Sequence, residues 1–427
     1  MLILRRVFAA AATVLAAAVV LVLAIVAVGV VSQVMADRRQ ADLQPFYDAP
    51  DPLPDAPPGT LLRHEPLRVD GDELGGASAH RILYLTEGAD GAPRIASGRL
   101  FIPDGPAPAG GRPVVSWAHP TTGMGTACAP SRTKNPIALM DWLPAMLQRG
   151  WVVVATDYAG LGTEGIESYL IARSEVPDVV NAVRATQNFP GADASTTYAV
   201  FGHSQGGHAS LWAGTLAPAY APELDLVGVA GAAPAAPLAD LVGELWDTEL
   251  GWLIGAEVAV SFPANYPGLD PAEVLSRAAL GSYERLARRC LGLGGAESAI
   301  RQGLGQRFFD RNPLEDPDWA AAIGEQSAPP VLASIPVLVT QSVNDGVIAP
   351  ASIARMTEAW CEAGSVINTV WLGPLRGSPD AASILTHVYE GAIGGAIATT
   401  WLEGRFAGEP APSSCGQTAP LLPSLDR

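Results

Sequence analysis

The chain has 427 residues, 48% of them hydrophobic, and a formal charge of -17 from 26 basic and 43 acidic side chains. This excludes a disordered chain and provides for a large core, as one big domain with an insertion or as two to three domains. The acidic balance, with Lys134 as the single lysine, argues against a nucleic-acid partner.

Arg5 and Arg6 precede an apolar run from Val7 to Val31 in which Thr13 is the one polar residue. At about 1.5 Å per residue such a run can cross a bilayer core. Its length favours a retained membrane anchor over a signal peptide, although Val34-Met35-Ala36 would serve as a cleavage site. Arg38 and Arg39 on the far side balance the first pair, so charge does not set the orientation. Residues 1–36 are thus expected to anchor the protein or export it. Residues 37–60, rich in proline and aspartate, read as an extended arm.

From residue 61 on, short apolar runs alternate with helical patterns. "HRILYLT" and "ASGRLFIP" predict an opening hairpin around "EGADGAPR". "RPVVSWAH", "WVVVATDY", "TTYAVFGH", "DLVGVAGAA", "IPVLVTQS" and "INTVWLG" each suit a fully buried strand, as a parallel sheet covered on both faces requires. "IALMDWLPAMLQRG" and "VPDVVNAVRATQNF" have apolar residues at helical spacing. The alternation lapses between about Pro234 and Pro330, where two helical stretches carry Trp246, Trp252, Leu253, Ile254, Phe308 and Phe309 as residues expected to be exposed. The simplest organisation is an α/β core in two parts, 61–234 and 331–427, with a helical cap, 235–330, inserted over the ligand edge of its sheet.

"GHSQG", Gly202 to Gly206, lies between a predicted strand and a predicted helix. A G-x-S-x-G turn at that junction is a nucleophile elbow, whose glycines sit where a Cβ would meet the neighbouring strand and helix. The bland alternative is a glycine-rich turn with an idle serine. A serine hydroxyl needs a histidine to take its proton, and that imidazole needs a carboxylate to fix its tautomer. The chain order on such a fold is Ser, acid, His. Of six histidines, His203 and His208 are too close in sequence to Ser204, and His387 alone lies downstream, so elimination selects His387. Asp345, directly after "IPVLVTQS", is the expected acid, against the alternative of an ordinary Asx turn, with Asp380 in reserve. An oxyanion would need two N–H donors. The residue after the nucleophile, Gln205, supplies one; Pro120 has no N–H, which leaves Thr121, then Thr122, for the other.

"SRTK", Ser131 to Lys134, matches the S-x-x-K of penicillin-recognising enzymes by chance, because no second lysine exists for the K-T-G that must accompany it. With no H-E-x-x-H, Walker loop or G-x-G-x-x-G after a strand, neither a metal nor a cofactor is implied. Cys128, Cys290, Cys361 and Cys415 form no CxxC pair. In an exported protein they suggest two disulfides, with three pairings open and an upper stabilisation of roughly 4 to 5 kcal/mol each.

Beyond the elbow, the chain resembles the secretory lipase family of fungi and actinobacteria. The likeness is carried by "PFYDAP", "PPGTLLR", "RILYLTEGADGAPRIASGRLFIP", "SWAHPTTG", "CAPS", "TDYAGLG", "GHSQGG", "PVLVTQSVNDGVIAP" and "THVYEG", over roughly residues 44 to 415. It implies an α/β-hydrolase fold, a mostly parallel sheet with a helical lid, acting on acylglycerols or related lipid esters with Ser204, Asp345 and His387 as triad. It also implies the pairings Cys128 with Cys290 and Cys361 with Cys415. The long apolar N-terminus departs from secreted relatives, which lose theirs. The expected activity is a serine ester hydrolase of the cell envelope or exterior, with a lipid or ester substrate and no obligate protein partner evident. Its rivals are an acyltransferase with the same triad, a serine peptidase, for which no anchor for a peptide terminus is visible, and an idle hydrolase fold that binds lipid.

Overall fold

The computed structural model describes residues 35–69, 73–374 and 384–420. The chain divides into two units, Met1–Asp48 and Ala49–Arg427. In the first, residues 35–47 form a helix, α1. This corrects the extended arm expected over 37–60: the prolines begin only at Pro45, and the alanines, arginines, glutamines and leucine before them favour helix. The irregular reading holds for 48–60. The apolar run Val7–Val31 and Asp380, the reserve acid, lie outside the described residues. No helix among the described residues is long and apolar enough to cross a membrane.

The second unit is built on one nine-stranded sheet. Its strands are β1 (Leu61–Pro66), β2 (Ser78–Glu87), β3 (Pro93–Ile102), β4 (Arg112–Ala118), β5 (Val152–Thr156), β6 (Ala194–His203), β7 (Asp225–Ala232), β8 (Val337–Ser342) and β9 (Ile367–Leu372). The spatial order is β1-β2-β3-β5-β4-β6-β7-β8-β9. β1 to β3 and the β3–β5 pair are antiparallel, and every pair from β5 through β4 to β9 is parallel. The expected hairpin is β2–β3, in register from Ser78↔Ile102 to Glu87↔Pro93.

Side chains on a strand alternate between faces, and here that alternation sorts the core in two. Val114, Val152, Val154, Val200 and Val229 point into one apolar cluster, packed by α3 (Ala172–Gln187) and α4 (Gln205–Tyr220). Their neighbours Val115, Trp117, Val153, Phe201 and Leu338 point into the other, packed by α2 (Leu143–Gln148) and α12 (Ile384–Phe406). Because both faces are covered, the central strands are apolar throughout, and this made them readable. α2 is shorter than the pattern over 137–150 suggests, the residues before Leu143 forming turns.

Between β7 and β8 the chain leaves the sheet and forms α5 (Leu238–Leu245), α6 (Ala256–Asn265) preceded by a π-turn at Gly251–Gly255, α7 (Arg277–Leu280), α8 (Tyr283–Ala287), α9 (Leu291–Gly303) and α10 (Pro317–Glu325). After β8, α11 (Pro350–Glu362) leads to β9. The buried residues of the inserted helices join the apolar cluster on the α3 and α4 side of the sheet. Trp252, Phe308 and Phe309, expected on the surface, are buried, and Trp246, Leu253 and Ile254 are half-buried. Phe308 packs edge-on against both Trp252 and Phe309, so these aromatic residues extend the core rather than await a partner.

Candidate active site

β6 ends at His203 and α4 begins at Gln205, leaving Ser204 alone to turn the chain, with φ at +57°. A non-glycine residue there is strained and persists only where its surroundings hold it. Ser204 N–H donates to Ala232 O (3.0 Å), and its carbonyl accepts from His208 N–H (3.0 Å) and Ala235 N–H (3.1 Å). A Cβ on Gly202 would stand 1.9 Å from the Gly206 carbonyl oxygen, and one on Gly206 would stand 1.8 Å from that of Ala118. The motif glycines therefore let the elbow close on itself and on the end of β4.

Ser204 Oγ lies 2.9 Å from His387 Nε2, and His387 Nδ1 lies 2.8 Å from Asp345 Oδ2. With Nδ1–H donating to Asp345, Nε2 is left to accept the serine proton. Asp345 Oδ1 accepts from the N–H groups of Val347 (2.7 Å) and Ile348 (2.9 Å). Burial works to raise the Asp345 pKa, but the His387 charge and these hydrogen bonds outweigh it and hold the carboxyl below its ordinary value. Chain segments 183 and 42 residues apart thus meet at one imidazole.

Helix α12 brings His387 in through its glycines. A Cβ on Gly391 would stand 2.8 Å from His203 Nδ1, one on Gly394 2.6 Å from both Ala232 Cβ and Thr340 Oγ1, and one on Gly395 2.0 Å from the Trp142 ring. Their absence lets the helix lie against the sheet. Two groups beside Ser204, His387 and Asp345 escaped the sequence reading. The His203 ring packs on that of His387 (centroids 4.7 Å apart), and burial, then the proximity of His387, push its pKa down to about 3. Glu390 is buried one turn from His387, and desolvation and the Asp345 charge push its pKa well above the usual carboxylate range. Its spacing of three from His387 on a helix was the available signal.

The loop after β4 holds Thr121, which is buried, its hydroxyl hydrogen-bonded to the Tyr169 hydroxyl (2.8 Å). β4 pairs in parallel with β6, so this loop and Ser204 share the carboxyl edge of the sheet. Gln205 is the first residue of α4, where backbone N–H groups have no partner within the helix. The loop is tied to the cap: Met124 N–H donates to Ala287 O (2.8 Å), Leu291 N–H to Thr122 O (3.0 Å), and Cys128 is disulfide-bonded to Cys290. The second disulfide joins Cys361 at the end of α11 to Cys415.

Above Ser204 opens an apolar cavity roofed by cap residues, among them Leu241, Trp246, Ile254, Val258 and Phe309, with Val347 and Ile348 of the Asp345 loop on its wall. Among the described residues no group of His, Cys, Asp and Glu side chains is arranged to hold a metal ion.

Such a sheet, with the elbow at the end of its central strand and a cap over it, defines an α/β-hydrolase. Residues 137–414 match the model of the secretory lipase family, and the chain belongs to that family, as a carboxylic ester hydrolase. It is 26% identical to Lipase 6 of Candida albicans over 406 residues, covering 87% of this chain and 83% of that protein. It is 27% identical over 388 residues to a probable inactive lipase of Mycobacterium tuberculosis, MT1628, covering 86% of this chain and 82% of that one. Among solved structures, the rice cell wall degrading esterase LipA from Xanthomonas oryzae shares the fold, with a TM-score of 0.71 at 21% identity over 82% of this chain and 100% of that one.

Proposed function

We propose that the protein hydrolyses lipid esters through an acyl-enzyme on Ser204. The observation that carries this reading is the hydrogen-bonded line Ser204–His387–Asp345, 2.9 and 2.8 Å, whose Ser204 lines an apolar cavity. Ser204 Oγ attacks the ester carbonyl while His387 Nε2 takes its proton. The backbone N–H groups of Gln205 and Thr121 hold the oxyanion. His387 then returns the proton to the leaving alcohol, and water, activated by the same imidazole, releases the acid. Asp345 fixes the imidazole and stabilises its charged form. The cavity receives the acyl chain, since its lining is apolar apart from Ser204, the Tyr169 hydroxyl and the Trp indole nitrogens. No cofactor enters the scheme. The two disulfides and the membership of a secretory family support an extracytoplasmic setting for this chemistry.

The test is hydrolysis of p-nitrophenyl esters from acetate to palmitate by the full chain, beside Ser204→Ala and His387→Ala. Both variants are expected to lose at least about a thousandfold in kcat, and a chain-length optimum above acetate is expected from the cavity. Since one relative is named a probable inactive lipase, labelling of Ser204 by a fluorophosphonate decides against an idle fold independently of turnover. A parent chain that neither turns over nor labels would overturn the reading in favour of lipid binding.

A further inference from the structure

Beneath the elbow lies a buried polar network that the hydrolytic scheme does not use. The side chain of Gln205, 1% exposed, donates both amide hydrogens to carboxyls: Nε2 is 2.9 Å from Glu167 Oε1 and 3.0 Å from Glu175 Oε1. Glu167 comes from the loop after β5 and Glu175 from the first turns of α3. Glu175 Oε1 also accepts from Leu170 N–H (3.1 Å), and its Oε2 meets His208 Nδ1 (2.7 Å) one turn along α4. His208 Nε2 faces the carbonyl of Gln326 (2.9 Å), just past α10 of the cap, and Gln326 Oε1 accepts from Ala172 N–H (2.8 Å). Two other parts of the chain, the loop after β5 and α3, therefore converge on the residue that follows the nucleophile, and the network behind Glu175 runs through His208 to the cap.

We propose that Glu167 and Glu175 are positioning residues that grip Gln205 by its side-chain amide and so keep its backbone N–H aimed at the developing oxyanion. This rests on the acyl-enzyme reading above. The physical need is plain: Ser204 is held at positive φ, and a peptide unit in that state relaxes unless both its neighbours are fixed. The backbone bonds of Ser204 fix one side, and the clamp fixes the other.

The clamp also has a working range of pH. Burial, and beyond it the charges of Glu175, Asp178 and Asp157, push the Glu167 pKa up to about 8. The other titratable groups around it are Tyr158 and Tyr169 on its own loop, His208 on α4 through Glu175, and Glu257 on cap helix α6. Below that range Glu167 is neutral and accepts from Gln205 at no electrostatic cost to the oxyanion. Above it, a negative charge on Glu167 stands behind the oxyanion donor, and transition-state stabilisation falls.

The experiment measures kcat and KM against pH for p-nitrophenyl ester hydrolysis by the full-length parent, Glu167→Ala, Glu167→Gln and Gln205→Met, with the rate of fluorophosphonate labelling in parallel. Gln205→Met keeps the backbone N–H and most of the volume but cannot donate to the carboxyls. Glu167→Ala and Gln205→Met are expected to lower kcat by about tenfold or more with KM nearly constant, as a loosened rather than deleted donor would. Glu167→Gln, which keeps an acceptor oxygen and cannot ionise, is expected to recover most of the Glu167→Ala loss at pH 7 and to move the alkaline limb up by about one pH unit or more. An unchanged kcat in Gln205→Met, or an alkaline limb in Glu167→Gln that coincides with the parent's, overturns the clamp while leaving the acyl-enzyme intact. If Glu167→Ala does not fold, the other two variants decide. If the parent labels without turnover, the pH dependence of labelling decides. If it does neither, the acyl-enzyme falls and the clamp with it, there being no oxyanion to position.

Discussion

Gly206 shows how a single hydrogen atom sets the site. The Cβ of an alanine there would stand 1.8 Å from the Ala118 carbonyl oxygen and 2.8 Å from that of His119, both backbone atoms that no rotamer change can move. Gly206→Ala must therefore push α4 away from the end of β4, displacing Gln205 and the Thr121 loop together. We expect at least about a hundredfold loss in kcat for p-nitrophenyl ester hydrolysis, checked beside the thermal midpoint so that misfolding is distinguished from displacement. Ser204, His387 and Asp345, the proposed nucleophile, base and acid, could be picked from the sequence because chain order and the scarcity of histidine left one candidate for the base, and because Asp345 follows a strand readable from its apolar run. The groups that hold Gln205 beside them could not. Glu167 and Glu175 lie 38 and 30 residues before Gln205, in stretches where a glutamate carries no local signal, and only folding shows that they share an amide.

Elements were readable in proportion to how one-sided their environment is. The central strands, covered on both faces, announce themselves as apolar runs. The cap does not, because its helices divide their apolar residues between the core they extend and the cavity over Ser204, so that Trp252 and Phe308 looked exposed when assigned to a single face. Helix α12 is the opposite case, with interior glycines that cost helix stability and contribute closeness. An alanine at Gly394 would gain about 1 kcal/mol of intrinsic helix propensity. Its Cβ would also lie 2.6 Å from Ala232 Cβ and Thr340 Oγ1, an overlap relieved only by lifting the helix off β7 and β8. Because His387 rides on that helix, Gly394→Ala is expected to lower kcat by about ten- to a hundredfold, with KM altered much less. A variant of unchanged kcat would show that α12 need not approach so closely for the imidazole to reach Ser204.

At the scale of the whole molecule, the buried acids set the pH range over which the fold is stable. Burial is the leading cause that raises Glu167 to about 8 and Asp178 to about 7, and it drives Glu257 and Glu390 well above the usual range. A carboxyl whose pKa is raised in the folded state contributes stability that is fully present below its unfolded value, near 4. That contribution is lost as pH climbs through the folded value. Burial acts in the reverse sense on three imidazoles, lowering His203 to about 3 and also lowering His119 and His80. They stabilise the fold above about pH 6.5 and lose that contribution as pH falls through their folded values. Between about pH 4.5 and 6.5 the imidazoles offset the carboxyls only in part; above it the imidazoles are neutral in both states and the carboxyls act alone. Each unopposed proton then changes stability by about 1.4 kcal/mol per pH unit, in the same direction as the self-repulsion of a chain already at -17. The thermal midpoint is therefore expected to fall as pH rises toward about 8, more gently below about pH 6.5, where the imidazoles oppose the carboxyls, than just above it. A midpoint highest at pH 8 or above would mean that these carboxyls are ionised in the native state, each with a compensating partner.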